Sequence, residues 1–299
     1  MREELSKPLP EDSASQLMSL DSWTSSPLHS LRKSKLFQRL LRTSLNRPRL
    51  CDLKRGFPIA IRPLTHASLR WKTSKIEPEM SKLFDRLVRS LSQKSAGVRF
   101  FDVGANVGWY AWLALQAYPN SEITLFEPDP ENLELLSLTV SHSGLDQVTI
   151  RETALSDRRG SAFFHQDCLT SATGMIRSGE TPWVERYLGS PTSLIRIERN
   201  KLDSFCSAGD YPNLLKIDVE GHEREVLKGA ATCLSRGRPL LLVESFPPIR
   251  EKVMELLSQN GYRILDAESL DPIGPGTTNL FAWHPRGPLA TDEISLTAT

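Results

Sequence analysis

A chain of 299 residues holds one large domain or two small ones, and 39% hydrophobic with 24% charged residues is a globular balance, neither disordered nor fibrous. A formal net charge of +1 gives no global attraction to nucleic acid or an anionic membrane. The cysteines Cys51, Cys168, Cys206 and Cys233 form no C-x-x-C pair, which argues against a zinc ribbon or disulfide framework and for reduced thiols in cytoplasm, and no apolar run approaches the roughly 20 residues of a bilayer span.

Residues 1–30 are rich in Ser, Pro and acids without a period, so disorder is expected there. Glu3, Glu4, Glu11 and Asp12 argue against a secretory or organellar leader. Residues 31–69 read as a basic, partly helical lead-in. Between Arg32 and Arg55 nine positive charges face Asp52 alone, with Leu36, Phe37, Leu40 and Leu41 at helical spacing. Two readings stay open: a basic amphipathic helix touching a membrane surface or nucleic acid, or a solvated helix docking one apolar stripe on the domain. The main domain is expected over residues 70–288, followed by a frayed tail, 289–299.

Met80 to Leu91 predicts a helix, with Leu83, Phe84, Leu87, Val88 and Leu91 on one face and Pro78 and Glu79 suited to its first turn. Val98 to Val103 predicts a buried strand. It ends in the glycine turn Gly104-Ala105-Asn106-Val107-Gly108 and opens into a helix from Trp109. That helix's free N–H groups would aim at whatever covers the strand end, and Gly104 and Gly108 would let a ligand near the backbone. Asp102 sits at the carboxyl end of the strand, where open α/β sheets bind ligands. The order D-x-G-x-N-x-G puts Asn106 where a dinucleotide fingerprint has its second glycine, which argues against NAD or FAD.

Ser121 to Phe126 predicts the next strand, closed by Glu127-Pro128-Asp129-Pro130, with a helix from Glu131 to Val140. Glu127 lies 19 residues past Gly108, the spacing of the carboxylate that takes two ribose hydroxyls. Gln147 to Glu152 is a third strand, and Ala154 to Asp157 a loop placed to cover an adenine ring. Ser161 to His165 and Thr192 to Glu198 are expected to pair. The polar stretch between them, with Trp183 and Tyr187 in a short helix, reads as a lid or substrate wall. Leu214 to Ile217 again runs into an acidic end and a glycine: Asp218, Glu220, Gly221 and Glu223, then a helix to Gly229. Leu240 to Val243 ends at Glu244, Ile249 to Leu257 is a helix, and Tyr262 to Leu265 and Asn279 to Trp283 are strands. The alternation predicts an α/β fold with a mostly parallel sheet covered on both faces and an antiparallel final strand.

Asp102-Val-Gly-Ala-Asn-Val-Gly, Glu127-Pro128, Lys201-Leu202-Asp203 and Lys216-Ile-Asp-Val-Glu-Gly-His-Glu resemble, in order and spacing, the FkbM-type methyltransferase family. Glu77-Pro78-Glu79 is similar to that family's segment before the first strand. The resemblance covers about residues 70–285 and implies a Rossmann-like class I methyltransferase using S-adenosylmethionine, usually methylating an oxygen. It implies a cofactor site of Glu77, Asp102, Gly104, Ala105, Asn106, Gly108, Glu127, Pro128, Ala154 and Asp218. Asp218 is expected to face the sulfonium, and Glu220 or Glu244 to orient or deprotonate the acceptor. A divalent cation held by Asp218, Glu220 and Glu244 stays open. So does the acceptor: a small molecule, a glycan or a lipid or polyketide hydroxyl. A nucleic-acid substrate is not expected. Phe246-Pro247-Pro248 follows the wrong strand and lacks the polar first residue of an N-P-P-F signature. A binding module without turnover remains the non-enzymatic alternative.

Overall fold

The computed structural model describes residues 43–67, 77–167 apart from 95, 174–176 and 192–289 apart from 208, together with 36, 40, 41 and 69. The disorder expected over 1–30, most of the lead-in helix, nearly all of the lid with Trp183 and Tyr187, and the tail from 290 lie outside the described residues.

Part of the lead-in is not helical. Strands β1 (Arg49–Asp52) and β2 (Pro58–Ile61) form an antiparallel hairpin that pairs Arg49 with Ile61. Ile59, Ala60 and Ile61 are buried in the main core, so the core begins upstream of residue 70. Charge dominates this stretch of sequence and hides the short apolar run that the hairpin buries. Helix α1 (Pro78–Ser92) carries Pro at its start and buries Met80, Leu83, Phe84, Leu87, Val88 and Leu91. Each such side chain contributes about 1.5–3 kcal/mol when removed from water.

The chain then alternates: β3 (Arg99–Val103), α2 (Trp109–Ala117), β4 (Glu122–Phe126), α3 (Pro130–Ser143) and β5 (Val148–Arg151). Thr139 of α3 accepts the Ala60 N–H on its Oγ1 at 2.9 Å, so the hairpin is fastened to this helix. A second sheet follows, built from β6 (Ala154–Leu155), β7 (Gly160–Asp167), β8 (Met175–Ile176) and β9 (Thr192–Asn200) in the order β6-β9-β7-β8. The pairing of β7 with β9 is antiparallel, as the sequence predicts. Ala154 and Leu155 are not loop: they pair in parallel with Arg199 and Asn200, because β9 extends two residues beyond the expected end at Glu198. The last part is β10 (Leu214–Ile217), α4 (Glu223–Lys228), β11 (Leu240–Glu244), α5 (Ile249–Gln259), β12 (Arg263–Asp266) and β13 (Asn279–Trp283).

The large sheet has the order β12-β13-β11-β10-β3-β4-β5, and only β13 runs antiparallel to its neighbours. From β3 the chain steps outward to β4 and β5; from β10 it steps the other way to β11. The switch point is therefore between β3 and β10, whose carboxyl ends flank the crevice where such sheets take ligands. Side chains alternate between two cores, one on each face. Phe100, Leu214 and Leu242 pack under α1, α2 and the hairpin, whereas Phe101, Val103, Leu215 and Val243 pack with α4 and α5. Among the described residues no helix is long and apolar enough to cross a membrane.

Candidate functional site

The turn after β3 is fastened to the end of β4. The N–H groups of Gly104 and Ala105 both donate to the Phe126 carbonyl, at 3.0 and 3.2 Å. The Asn106 N–H donates to Glu127 Oε2 at 2.7 Å, and the Asp129 N–H to Glu127 Oε1 at 2.9 Å. These three turn N–H groups thus find protein acceptors rather than standing free for a ligand. The glycines also answer to the protein. A Cβ on Gly104 would lie 1.9 Å from the Asp218 carbonyl oxygen, and one on Gly108 would lie 2.5 Å from the Trp112 indole. Both have φ +80°, which a side chain would strain. Asn106 also takes positive φ, 53°, as asparagine tolerates better than most residues.

Glu127 is 4% exposed. Burial pushes its pKa up to about 8, against the pull of the Asp129 and Asn106 N–H groups. The Asn132 side chain also hydrogen-bonds to this carboxylate, so its two oxygens, with about four acceptor positions between them, hold three protein partners and keep capacity for a ligand hydroxyl. A ribose hydroxyl donating there would favour the ionised form. The residues present therefore fit the ribose of S-adenosylmethionine.

Parity along the strands gathers the second group. Asp102, Lys216 and Glu244 sit on one face of neighbouring strands, and Asp102 is the register partner of Lys216. Lys216 Nζ donates to Asp218 Oδ2 at 2.8 Å and stands 4.8 Å from the centre of the Tyr110 ring. Burial alone would lower the Lys216 pKa, but Asp218, Asp102 and Glu77 more than offset it and hold the ammonium charged. Asp102 is pushed up to about 7 by burial, with Lys216 opposing and Asp218 adding. Glu244 is raised by Asp218 first, then by burial and Glu220, with Lys216 opposing. Asp218, Glu220 and Glu244 thus share one electrostatic neighbourhood, as the sequence predicts. Among the described residues no three acidic, His or Cys side chains are arranged to hold a metal ion, and on Asp218 the place of a cation is taken by Lys216.

The other predicted residues are placed as follows. Glu77 is exposed and joins the group through Tyr110, whose hydroxyl donates to its carboxylate. Ala105 is buried and Pro128 half-buried in the loops that follow β3 and β4. Ala154 packs with Phe164 and Ile197 in the small core of the second sheet. His222 stands apart from the carboxylate group: its Nε2 is 3.0 Å from Ser156 Oγ, and its charged neighbours are Glu225, Asp157, Arg199 and Arg158. Glu223 Oε1 accepts the Gly221 N–H at 2.7 Å and its Oε2 the Ser245 hydroxyl at 3.3 Å, so it ties the acidic turn after β10 to the end of β11.

Sequence reasoning missed Tyr110, Asp129 and Gln166. Asp129 caps α3 and accepts Gln166 Nε2 at 2.7 Å, which fastens the second sheet to the loop after β4. The Asp129-Pro130 pair carried a signal, an N-cap before a first-turn proline. Tyr110 carried none, since it reads as one more apolar helix residue.

The strand order, with its switch point between β3 and β10 and its antiparallel β13, together with the buried acid closing β4, defines a Rossmann-like class I methyltransferase dependent on S-adenosylmethionine. The Methyltransferase FkbM domain model matches residues 102–264, more than half of the chain, and the chain belongs to that family. It is 30% identical over 175 residues to the 2-O-methyltransferase NoeI of Sinorhizobium fredii, covering 54% of this chain and 69% of that protein. It is 25% identical over 162 residues to the hexuronic acid methyltransferase AglP of Haloferax volcanii, covering 53% and 61%. A crystal structure of methyltransferase FkbM from Methylobacillus flagellatus superposes with a TM-score of 0.45 at 15% identity, covering 91% of this chain and 60% of that one.

Proposed function

We propose that this chain transfers the methyl group of S-adenosylmethionine to a hydroxyl of a sugar-type acceptor. The observation that carries the reading is the group Asp218, Glu220 and Glu244 around Lys216 at the switch point, beside the buried Glu127 carboxylate. Two relatives, named as a 2-O-methyltransferase and a hexuronic acid methyltransferase, support oxygen as the methylated atom and a sugar as its carrier.

When bound, the cofactor supplies an electrophilic methyl on a positively charged sulfur. The reaction forms an acceptor O–CH3 bond, breaks the S–CH3 bond and releases the hydroxyl proton. Glu127 would hold the ribose and Asp218 would face the sulfonium end, so the chain's part in the transfer is chiefly to align the two reactants. Such alignment supplies about 7–11 kcal/mol of the barrier, more than the 10²–10⁴-fold typical of a general base. Glu244 is suited to take the proton, with Glu220 the second carboxylate of the pair. A cation alongside lowers the Glu244 pKa and readies it as a base.

The test is turnover of labelled S-adenosylmethionine with methyl glycosides, for the native chain and for Glu244→Gln and Glu220→Gln. A 10²-fold or larger fall in kcat for Glu244→Gln, with affinity for S-adenosylhomocysteine, which lacks the sulfonium, within threefold, supports its role as base. Unchanged turnover in Glu244→Gln or in Glu220→Gln removes that residue from the mechanism.

A further inference from the structure

Among the described residues few large apolar side chains stand exposed. Leu36, Leu40 and Leu45 belong to the lead-in, while Phe163 and Leu194 lie on the face of β7 and β9 opposite Phe164 and Ile197. Phe246 is different: 44% exposed, it follows Glu244 by two residues at the carboxyl end of β11, on the edge of the sheet that carries the chemistry.

Its backbone is held firmly. The Phe246 carbonyl accepts the N–H groups of Ile249 and Arg250, both at 2.9 Å, and two prolines with fixed φ follow it. On one side Ser245 donates its N–H to the Thr278 carbonyl and its hydroxyl to Glu223. On the other the buried Arg250 guanidinium reaches the carbonyls of Gly274, Pro275 and Thr277. An aromatic ring left half in water on a firmly held backbone at a strand end offers one flat apolar face. Its neighbours along the edge, Asp218, Glu220, Glu244 and Ser245, are polar. A wholly apolar acceptor needs a pocket lined mainly by apolar side chains, and among the described residues this edge carries mostly polar ones. A pyranose matches it: its ring C–H groups make an apolar face for stacking on an aromatic, and its hydroxyls point outward as donors to carboxylates.

We infer that Phe246 is the platform on which the C–H face of a pyranose acceptor rests, with the hydroxyl to be methylated turned toward Glu220 and Glu244. The inference rests on the sugar-acceptor reading above and adds the residue that selects for it.

The experiment measures initial rates with labelled S-adenosylmethionine against methyl hexopyranosides, methyl hexuronides and 1-octanol. It compares the native chain with Phe246→Ala and Phe246→Trp, alongside thermal melts and cofactor affinity. A platform predicts that Phe246→Ala raises KM for the preferred glycoside tenfold or more. It also predicts kcat within threefold, unchanged melting and cofactor binding, and a native-like KM in Phe246→Trp. An unchanged KM in Phe246→Ala, with glycosides still methylated by the native chain, overturns the platform and leaves the sugar reading standing. Methylation of 1-octanol in preference to every glycoside, or of no glycoside, overturns both.

Discussion

The backbone N–H of Asn106 meets the Glu127 carboxylate at 2.7 Å, so the acid that closes β4 also holds the turn leaving β3. One side chain thereby joins the ends of β3 and β4 and keeps acceptor capacity for a ligand that enters beside them. Hydrogen bonds to a charged group are worth about 1.5–3 kcal/mol each. Glu127→Gln replaces one acceptor oxygen with an NH2 and sets it against a backbone N–H. The expected result is an S-adenosylmethionine affinity lower by about 10- to 100-fold by calorimetry. Affinity within twofold of the native chain would remove Glu127 from the site.

Gly104 is the tightest point of the switch. Substitution by Ala adds a methyl 1.9 Å from the Asp218 carbonyl oxygen and forces a side chain into φ +80°. Gly56, in the hairpin turn, has φ +90° but nothing within 4 Å of its Cβ position. Gly56→Ala should therefore cost only the strain of the left-handed backbone, about 1–2 kcal/mol. Gly104→Ala should cost more than about 4 kcal/mol, because both ends of the switch must move apart. Urea unfolding of the two variants side by side checks the difference, and equal costs would show that the approach of β3 to Asp218 relaxes freely.

Much of this arrangement was legible in the residues. The glycine turn, Glu127 at its distance from Gly108, and the acids after β10 and β11 follow from period and spacing, because a parallel sheet places strand ends side by side. The hairpin Arg49–Ile61 was not legible. Its apolar positions lie inside a run of arginines and lysines, and only burial against α3 distinguishes it from a solvated segment. The cause of the glycines was also hidden: spacing marks where a Cβ is forbidden, but not that Asp218 and Trp112, rather than a ligand, forbid it. Lys216 enters the sequence reading only as the first residue of the motif Lys216-Ile-Asp-Val-Glu-Gly-His-Glu, with no role of its own. Only the register with Asp102 shows it as the cation that lets the buried acids coexist.

The hairpin's attachment gives a direct measure of its part in the domain. Thr139 Oγ1 accepts the Ala60 N–H and donates to the Leu135 carbonyl, and both Ala60 and Thr139 are fully buried. Thr139→Val keeps the shape and removes the acceptor, leaving a buried N–H unpaired at a cost of about 1–3 kcal/mol. Thr139→Ser should recover most of it. A Thr139→Val chain as stable as the native one in urea would mean that the hairpin contributes nothing to the fold.

Binding of the cofactor should release protons, with a sign fixed by the site. Burial raises Glu127 to about 8, and Asp218, burial and Glu220 raise Glu244. At pH 7 Glu127 is therefore largely protonated before binding, and Glu244 is biased toward its protonated form. The ribose hydroxyls favour ionised Glu127 and the sulfonium favours ionised Glu244, so both pKa values fall and protons leave. Affinity for S-adenosylmethionine should then rise from pH 6 to pH 8, by up to tenfold per unit for each proton released, and flatten above the free-site value of Glu127. S-adenosylhomocysteine has the same ribose but no sulfonium, so its pH dependence should be shallower by the Glu244 share. Calorimetry in buffers of different ionisation enthalpy counts the protons directly, and Glu244→Gln should make the two ligands alike. If both ligands release the same number from the native chain, Glu244 does not sense the sulfonium and its assignment as the base fails.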